Sequence, residues 1–230
     1  MNEEKKITVL KLLSSHDEVG DVRTFVFDAN GLVWLAGQSQ GYILPQAGDS
    51  EAENQRWFTI ASAPSEKVIH IATRVSSSTF KQTLNTLKPG DSIQSYDLGG
   101  DFTWEEVSDV SVVLVAGGIG ITPFRSMLVE RASQGKPLNA TVLYFNRTDA
   151  VPFRVELEAL AAIHPELHLH IIIGQHISAE TILASEPQAQ QRTVYISGPE
   201  AMVESVGTAL RNYGISIKQD WFPGYTEKNY

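Results

Sequence analysis

Val110-Ser111-Val112-Val113-Leu114-Val115-Ala116-Gly117-Gly118-Ile119-Gly120-Ile121-Thr122-Pro123 is the stretch that decides the fold class. Val110–Ala116 is apolar except for Ser111, the pattern of a strand buried on both faces inside a parallel sheet. Three glycines follow, then Thr122 in position to cap a helix and Pro123, which suits a first helical turn. Glycines after the first strand of a parallel sheet let a phosphate approach backbone N–H groups, and the helix N-terminus adds its positive dipole end. The same turn also serves where glycine is needed only to pack strand against helix. Proline at the helix start departs from the usual dinucleotide fingerprint, and no acidic ribose ligand stands about 20 residues further on.

Downstream, strand and helix patterns alternate. Strands are expected over Ala140–Phe145, Leu167–Ile173 and Thr193–Ser197, and helices over Phe153–Ala162, Ala179–Ala184 and Glu200–Tyr213. Such alternation predicts a doubly wound parallel sheet. Upstream the pattern differs. Ile7–Leu13, Val22–Phe27, Trp57–Ala61, Val68–Val75 and Asp91–Tyr96 are short β-rich runs separated by turns, with one helix marked by Phe80, Leu84 and Leu87. Many short strands with one helix predict a small antiparallel barrel. The fold class is therefore a two-domain chain, an antiparallel β-barrel followed by an α/β doubly wound parallel sheet. The boundary is expected near Thr103–Ser108, giving domains 1–106 and 107–230.

The chain has 230 residues and a formal net charge of −9. An acidic balance argues against general nucleic-acid binding, which needs a basic footprint. There is no cysteine, which excludes disulfides, thiol catalysis and a cysteine-ligated iron–sulfur cluster on this chain. There is no apolar run of 18 residues, and the first residues lack a signal-peptide core, so a cytoplasmic protein is expected.

Arg56-Trp57-Phe58-Thr59 sets a fixed positive charge, two aromatics and a hydroxyl side by side in a strand. Arg56 can bind a pyrophosphate through two hydrogen bonds, Phe58 or Trp57 can pack on a planar ring, and Thr59 can donate to a ring nitrogen. The alternative is a barrel strand whose aromatics are core and whose arginine is surface. Ser76-Ser77-Ser78-Thr79 before the expected helix forms a second potential anion site, or a plain helix cap. His164, His168 and His170 are surface strand histidines by default; no third ligand completes a metal set, and none is expected.

Taken in register, these segments resemble the ferredoxin–NADP reductase superfamily across nearly the whole chain. Arg56–Thr59 and the following Ile60-Ala61-Ser62-Ala63-Pro64 look like its flavin motif, and Ser77-Ser78-Thr79-Phe80 like its pyrophosphate turn. Gly118–Phe124 looks like its nicotinamide-dinucleotide loop, Ser197-Gly198-Pro199 like its later Cys/Ser-Gly motif, and Asp220–Tyr225 like the aromatic tail of one branch.

The resemblance implies FAD, NADPH or NADH, and hydride transfer from nicotinamide C4 to flavin N5. By it, Arg56 and Ser76, Ser77 and Ser78 hold the pyrophosphate, Trp57, Phe58 and Thr59 meet the ring system, and Thr73 and Arg74 lie near the ribityl or adenosine portion. Gly117, Gly118, Gly120, Thr122, Gly198 and Pro199 receive the nicotinamide dinucleotide, and Arg147 meets its ribose or a 2′-phosphate. Thr59, Ser197 and Phe222 are the expected catalytic residues, with Phe222 or Tyr225 covering the flavin face. Phe58 stands where the family usually has tyrosine, which removes one hydroxyl contact. The electron acceptor is then a separate molecule or subunit, such as a ferredoxin, a flavodoxin, an oxygenase component or a small acceptor. The alternative is a non-catalytic or complex-dependent flavin- or nucleotide-binding electron-transfer subunit.

Overall fold

The computed structural model describes residues 6–105 and 111–222. Strands β1 (Thr8–Val19), β2 (Val22–Asp28), β3 (Ser39–Ile43), β4 (Gln55–Thr59), β5 (Val68–Arg74) and β6 (Ser92–Gly99) form one sheet in the order β4-β3-β6-β1-β2-β5. All its pairings are antiparallel. Helices α1 (Glu51–Asn54) and α2 (Thr79–Thr86) lie in its connections. Alternate side chains point inward, and Leu10, Phe25, Phe27, Ile69, Phe80 and Leu84 fill the interior. The sheet is the expected barrel in outline, but among the described residues no ladder joins its edge strands β4 and β5. Just beyond β4, the Ala61 N–H donates to the His70 carbonyl at 3.0 Å, and the Ser62 hydroxyl donates to the Val68 carbonyl at 2.6 Å and accepts from the His70 N–H at 3.0 Å, which brings those edges together.

The second sheet holds β7 (Val112–Gly117), β8 (Ala140–Asn146), β9 (Leu167–Ile173), β10 (Val194–Pro199) and β11 (Ile217–Phe222), all parallel, in the order β11-β10-β7-β8-β9. Helices α3 (Thr122–Ser133), α4 (Arg154–Ile163), α5 (Ala179–Ser185) and α6 (Glu200–Asn212) provide the crossovers. Every residue of β7 is buried, as its apolar run required. Sequential strands run outward from β7 on one side, and the chain then returns to place β10 on the other. That reversal opens a crevice beyond the C-terminal ends of β7 and β10, where such sheets bind ligands.

One of the molecule's apolar clusters joins the two sheets. Val22, Ala61, Ala72 and Phe102 from the first half pack with Leu114, Phe124, Met127 and Tyr195 from the second. Phe102 lies 5.7 Å from both the Phe124 and Tyr195 rings. The segment after β6 is bound further by Arg131 over Trp104 at 4.6 Å and by a Lys218–Glu105 ion pair of 2.7 Å. Gly37, at φ 96°, fits because a Cβ there would stand 2.1 Å from the Phe102 carbonyl oxygen.

The expected strands and helices form, with ends moved by a few residues. Among the described residues, two strands and one α-helix are additional, besides short 3-10 turns. β3 was hidden by Ser39, Gln40 and Gly41 in a run without apolar alternation; Gly41 is needed because the Tyr96 ring lies where its Cβ would be. α1 is one charged turn, and β11 had been read only as part of a tail.

Truncating Phe102→Ala should lower stability by about 3–5 kcal/mol, since a buried aromatic is replaced by a cavity in a well-packed core. Urea unfolding should show one shifted transition. Two separated transitions would mean that the halves do not share a core.

Candidate functional site

β4 presents its motif on two faces. Register pairs Gln40 with Phe58 and Tyr42 with Arg56, so these four residues share the inner face, while Trp57 and Thr59 point outward. Phe58 is buried between Tyr42 and Phe80, at 6.0 and 5.8 Å between ring centroids. Trp57 is 46% exposed and meets Tyr96 edge-on at 5.7 Å. On the inner face, the Gln40 Oε1 and Tyr42 Oη atoms are buried without a hydrogen-bond partner. Burial pushes the Tyr42 phenol well above its ordinary range.

The Arg56 guanidinium donates to the carbonyls of Ala52 and Gln55 at 2.5 and 2.6 Å, and to the Ser78 hydroxyl at 3.3 Å. It therefore reaches the N-terminus of α2. Ser78 occupies the cap position without capping through its side chain, and its N–H donates to the Ser76 hydroxyl at 3.4 Å. Ser77 is exposed in the same turn, and α2 carries no acid in its first turn. A guanidinium, hydroxyls and a positive helix end without acids suit an anion such as a pyrophosphate. Thr73 is buried in β5, and Arg74 pairs with Asp21 at 2.6 Å.

The glycine turn is a 3-10 turn, Gly118–Ile121, that leads directly into α3. Gly118 adopts φ 54°, a conformation glycine supplies without strain. A Cβ on Gly120 would stand 2.2 Å from the Ser197 carbonyl oxygen, so the turn lies directly against the end of β10. Thr122 corrects the capping expectation. It is already helical and buried, Ile121 holds the cap position, and the Thr122 hydroxyl donates to the Ile119 carbonyl at 3.1 Å. Beyond these strand ends lies a cavity of about 490 Å³ lined by Gly117, Asn146, Arg147, Gly174, His176 and Pro199, among others. Among the described residues no carboxylate lines it, whereas Arg147 and His176 do. Gly198 packs against Gly117 and Met202 at its rim.

Asp220 joins the two halves. Its Oδ2 lies 3.5 Å from the Thr59 hydroxyl of β4 and 3.5 Å from the Ser197 hydroxyl at the end of β10. Burial pushes the Asp220 carboxyl up to about 7; the two hydroxyls act against that rise, and Asp101 adds to it. The sequence reading had placed Asp220 only within an aromatic tail. The missing signal was β11 itself, whose parallel pairing sets Asp220 beside Ser197. Phe222 ends β11 opposite Pro199, and its backbone alone is described. Tyr225 lies outside the described residues. His168 and His170 lie on edge strand β9, and His164 meets Glu166 at 3.3 Å. Among the described residues no helix is long and apolar enough to cross a membrane.

Comparison with known proteins agrees with this arrangement. The family model described as Oxidoreductase NAD-binding domain matches residues 114–208. A ferredoxin–NADP reductase B of Sorangium cellulosum is 34% identical over 151 residues, covering 64% of this chain and 61% of the relative. A flavohemoprotein of Pseudomonas putida is 25% identical over 224 residues, covering 91% of this chain and 56% of the relative. The chain thus spans little more than half the length of these relatives. The fold superimposes on the Amycolatopsis cytochrome P450 reductase GcoB with a TM-score of 0.80 at 20% identity, covering 95% of this chain and 71% of that one. In sequence the chain is thus similar to ferredoxin–NADP reductases and flavohemoproteins, and its fold is that of the reductase it superimposes on.

The raised Asp220 carboxyl makes stability depend on pH. Folded Asp220 holds its proton up to about pH 7, against an ordinary value of 3.8, so ionisation opposes folding. Below about pH 4 both states are protonated and the effect is absent. As pH rises to 7 and above, stability falls by up to about 4 kcal/mol. Asp220→Asn should therefore match the parent near pH 4 and exceed it at pH 8. Urea midpoints at the two values check this, and equal pH profiles would show that Asp220 is not desolvated.

Proposed function

We propose that this chain is an NAD(P)H-dependent flavoprotein reductase that binds FAD on the first sheet and a nicotinamide dinucleotide on the second. The observation that carries the reading is the meeting of Thr59 and Ser197 at Asp220, which brings the end of the flavin-motif strand to the ligand crevice of the parallel sheet. A flavin held there would accept a hydride from nicotinamide C4 at its N5 and release the electrons to a separate acceptor.

The chain's own groups bind, orient and handle protons. Arg56 and the Ser76–Ser78 turn at α2 hold the pyrophosphate by charge-assisted and hydroxyl hydrogen bonds. Trp57, exposed beside Thr59, and Phe58, packed behind it, are the aromatics available to the ring, and Thr73 and Arg74 stand on the other edge strand, β5. Gly117, Gly118, Gly120 and Gly198 keep side chains out of the nicotinamide path, with Pro199 at its edge. Thr59 and Ser197 orient the reacting groups. Asp220, with its carboxyl near neutrality, holds or yields a proton at Oδ2 shared with both hydroxyls. Phe222 and Tyr225, at the chain's aromatic end, cover the site until nicotinamide enters.

Arg147 and His176, in a cavity lined by no acid, favour NADPH over NADH. The acceptor is a one-electron redox protein, an oxygenase component or a small oxidant in the cytoplasm.

An anaerobic visible spectrum tests the reading. FAD-loaded protein should show flavin bands near about 450 nm and bleach on addition of NADPH, more slowly with NADH. A protein that takes up no FAD overturns the reading. One that binds FAD but is bleached by neither nucleotide overturns the reductase assignment. Arg56→Ala should lose bound FAD. Arg147→Ala should raise KM for NADPH about tenfold or more while leaving NADH nearly unchanged, the loss of charge-assisted bonds to a phosphate.

A further inference from the structure

Arg125 is a buried cation, 5% exposed, in the first turns of α3. Its guanidinium uses all five N–H donors. Nη1 donates to the Ala61 carbonyl and to Glu66 Oε2, both at 2.8 Å, and Nη2 donates to Glu66 Oε1 at 3.0 Å. Nε and Nη2 donate to the two Glu156 oxygens at 2.7 and 2.8 Å. The next residue, Ser126, is also buried and donates to the Ser62 carbonyl at 2.6 Å.

These partners fall on two sides. Glu156 lies on α4, in the same half as Arg125, whereas Ala61, Ser62 and Glu66 belong to the segment that leaves β4 just after Thr59. α3 in turn begins directly after the glycine turn. A rigid fork of donors therefore ties the chain beside Thr59 to the helix beside the nicotinamide loop. A bidentate guanidinium fixes direction as well as distance, which a lysine cannot do. The glutamates match the geometry: the Arg125 fork draws the Glu66 carboxyl below its ordinary range despite burial.

We propose that Arg125 and Ser126 are positioning residues, which set the distance between the flavin and nicotinamide half-sites by clamping the segment after Thr59 onto α3. The proposal rests on the reductase reading. Hydride transfer is sensitive to placement, with about 1 Å of displacement able to lower a rate about hundredfold.

The two carboxylates separate positioning from simple stability. Glu66→Gln removes the charged, bidentate part of the contact across the halves while the bonds to the Ala61 and Ser62 carbonyls remain, and Glu156→Gln alters only the contact within one half. In the FAD-loaded full chain, stopped-flow reduction by NADPH should slow about ten- to hundredfold in Glu66→Gln, with bound FAD unchanged and NADPH affinity within about threefold. The long-wavelength nicotinamide–flavin charge-transfer absorbance should weaken with it. Glu156→Gln should reduce within about twofold of the parent. Equal rates in both variants, or equal slowing in both, overturn the proposal. Should Glu66→Gln not fold, Ser126→Ala provides the same comparison.

Backbone hydrogen exchange supplies a second readout that does not depend on turnover. Exchange at Ile60–Ala63 should rise in Glu66→Gln and stay near the parent in Glu156→Gln. If the parent itself is not reduced by nicotinamide, the reductase reading fails, and exchange alone then decides the clamp: unaltered protection at Ile60–Ala63 in Glu66→Gln overturns it.

Discussion

The structure depends on one constraint: besides the core that each sheet closes for itself, the two sheets bury apolar surface against each other. Ala61 and Phe102 from the antiparallel side pack with Phe124 and Tyr195 from the parallel side. Separating the halves would expose this surface to water at about 25 cal/mol per Å², and the buried aromatics make up much of it. The relative placement of the sheets is thereby set by packing, and packed interiors deform little. Everything at the site follows from that placement. Thr59 can face Ser197 only because the core below them holds the two strand ends at one level.

Polar groups at this junction are treated in two opposite ways. Arg125 is buried with every donor used, so its charge is compensated and its geometry fixed. Asp220 is desolvated with two long hydroxyl contacts and no cation beside it among the described residues, so it keeps its proton up to about neutrality. A fully satisfied network gives rigidity, whereas an under-satisfied acid makes stability depend on pH. The two kinds of buried polarity meet within a single interface.

Much of this was legible in the sequence, for physical reasons. β7 announced itself because a strand buried on both faces must be apolar throughout, and the glycine turn because close approach to β10 excludes a Cβ. Arg56 and the Ser76–Ser78 turn, far apart in sequence, were both read as anion groups, and the structure brings Arg56 to Ser78. Other features were not legible. β3 lacks alternation because Tyr96 lies over Gly41, a contact made only after folding. Thr122 reads as a cap by composition, but the 3-10 turn before α3 moves the helix start and turns its hydroxyl back to Ile119. Asp220 and Arg125 were missed for a related reason. Each is an ordinary charged residue locally, and its role arises from desolvation between elements distant in the chain.

The acidity of the chain bears on how such a site works. The cavity beyond β7 and β8 carries Arg147 and His176 and no carboxylate, although the protein as a whole carries a formal net charge of −9. The cavity lining thus differs from the acidic chain around it, and the surrounding negative charge works against non-specific polyanions such as nucleic acid. A small anion in that cavity meets no carboxylate among the described lining residues, while an extended polyanion meets repulsion over most of its contact. Under the proposed reductase function, discrimination between a single nucleotide and a polymer would follow from the distribution of charge rather than from its total.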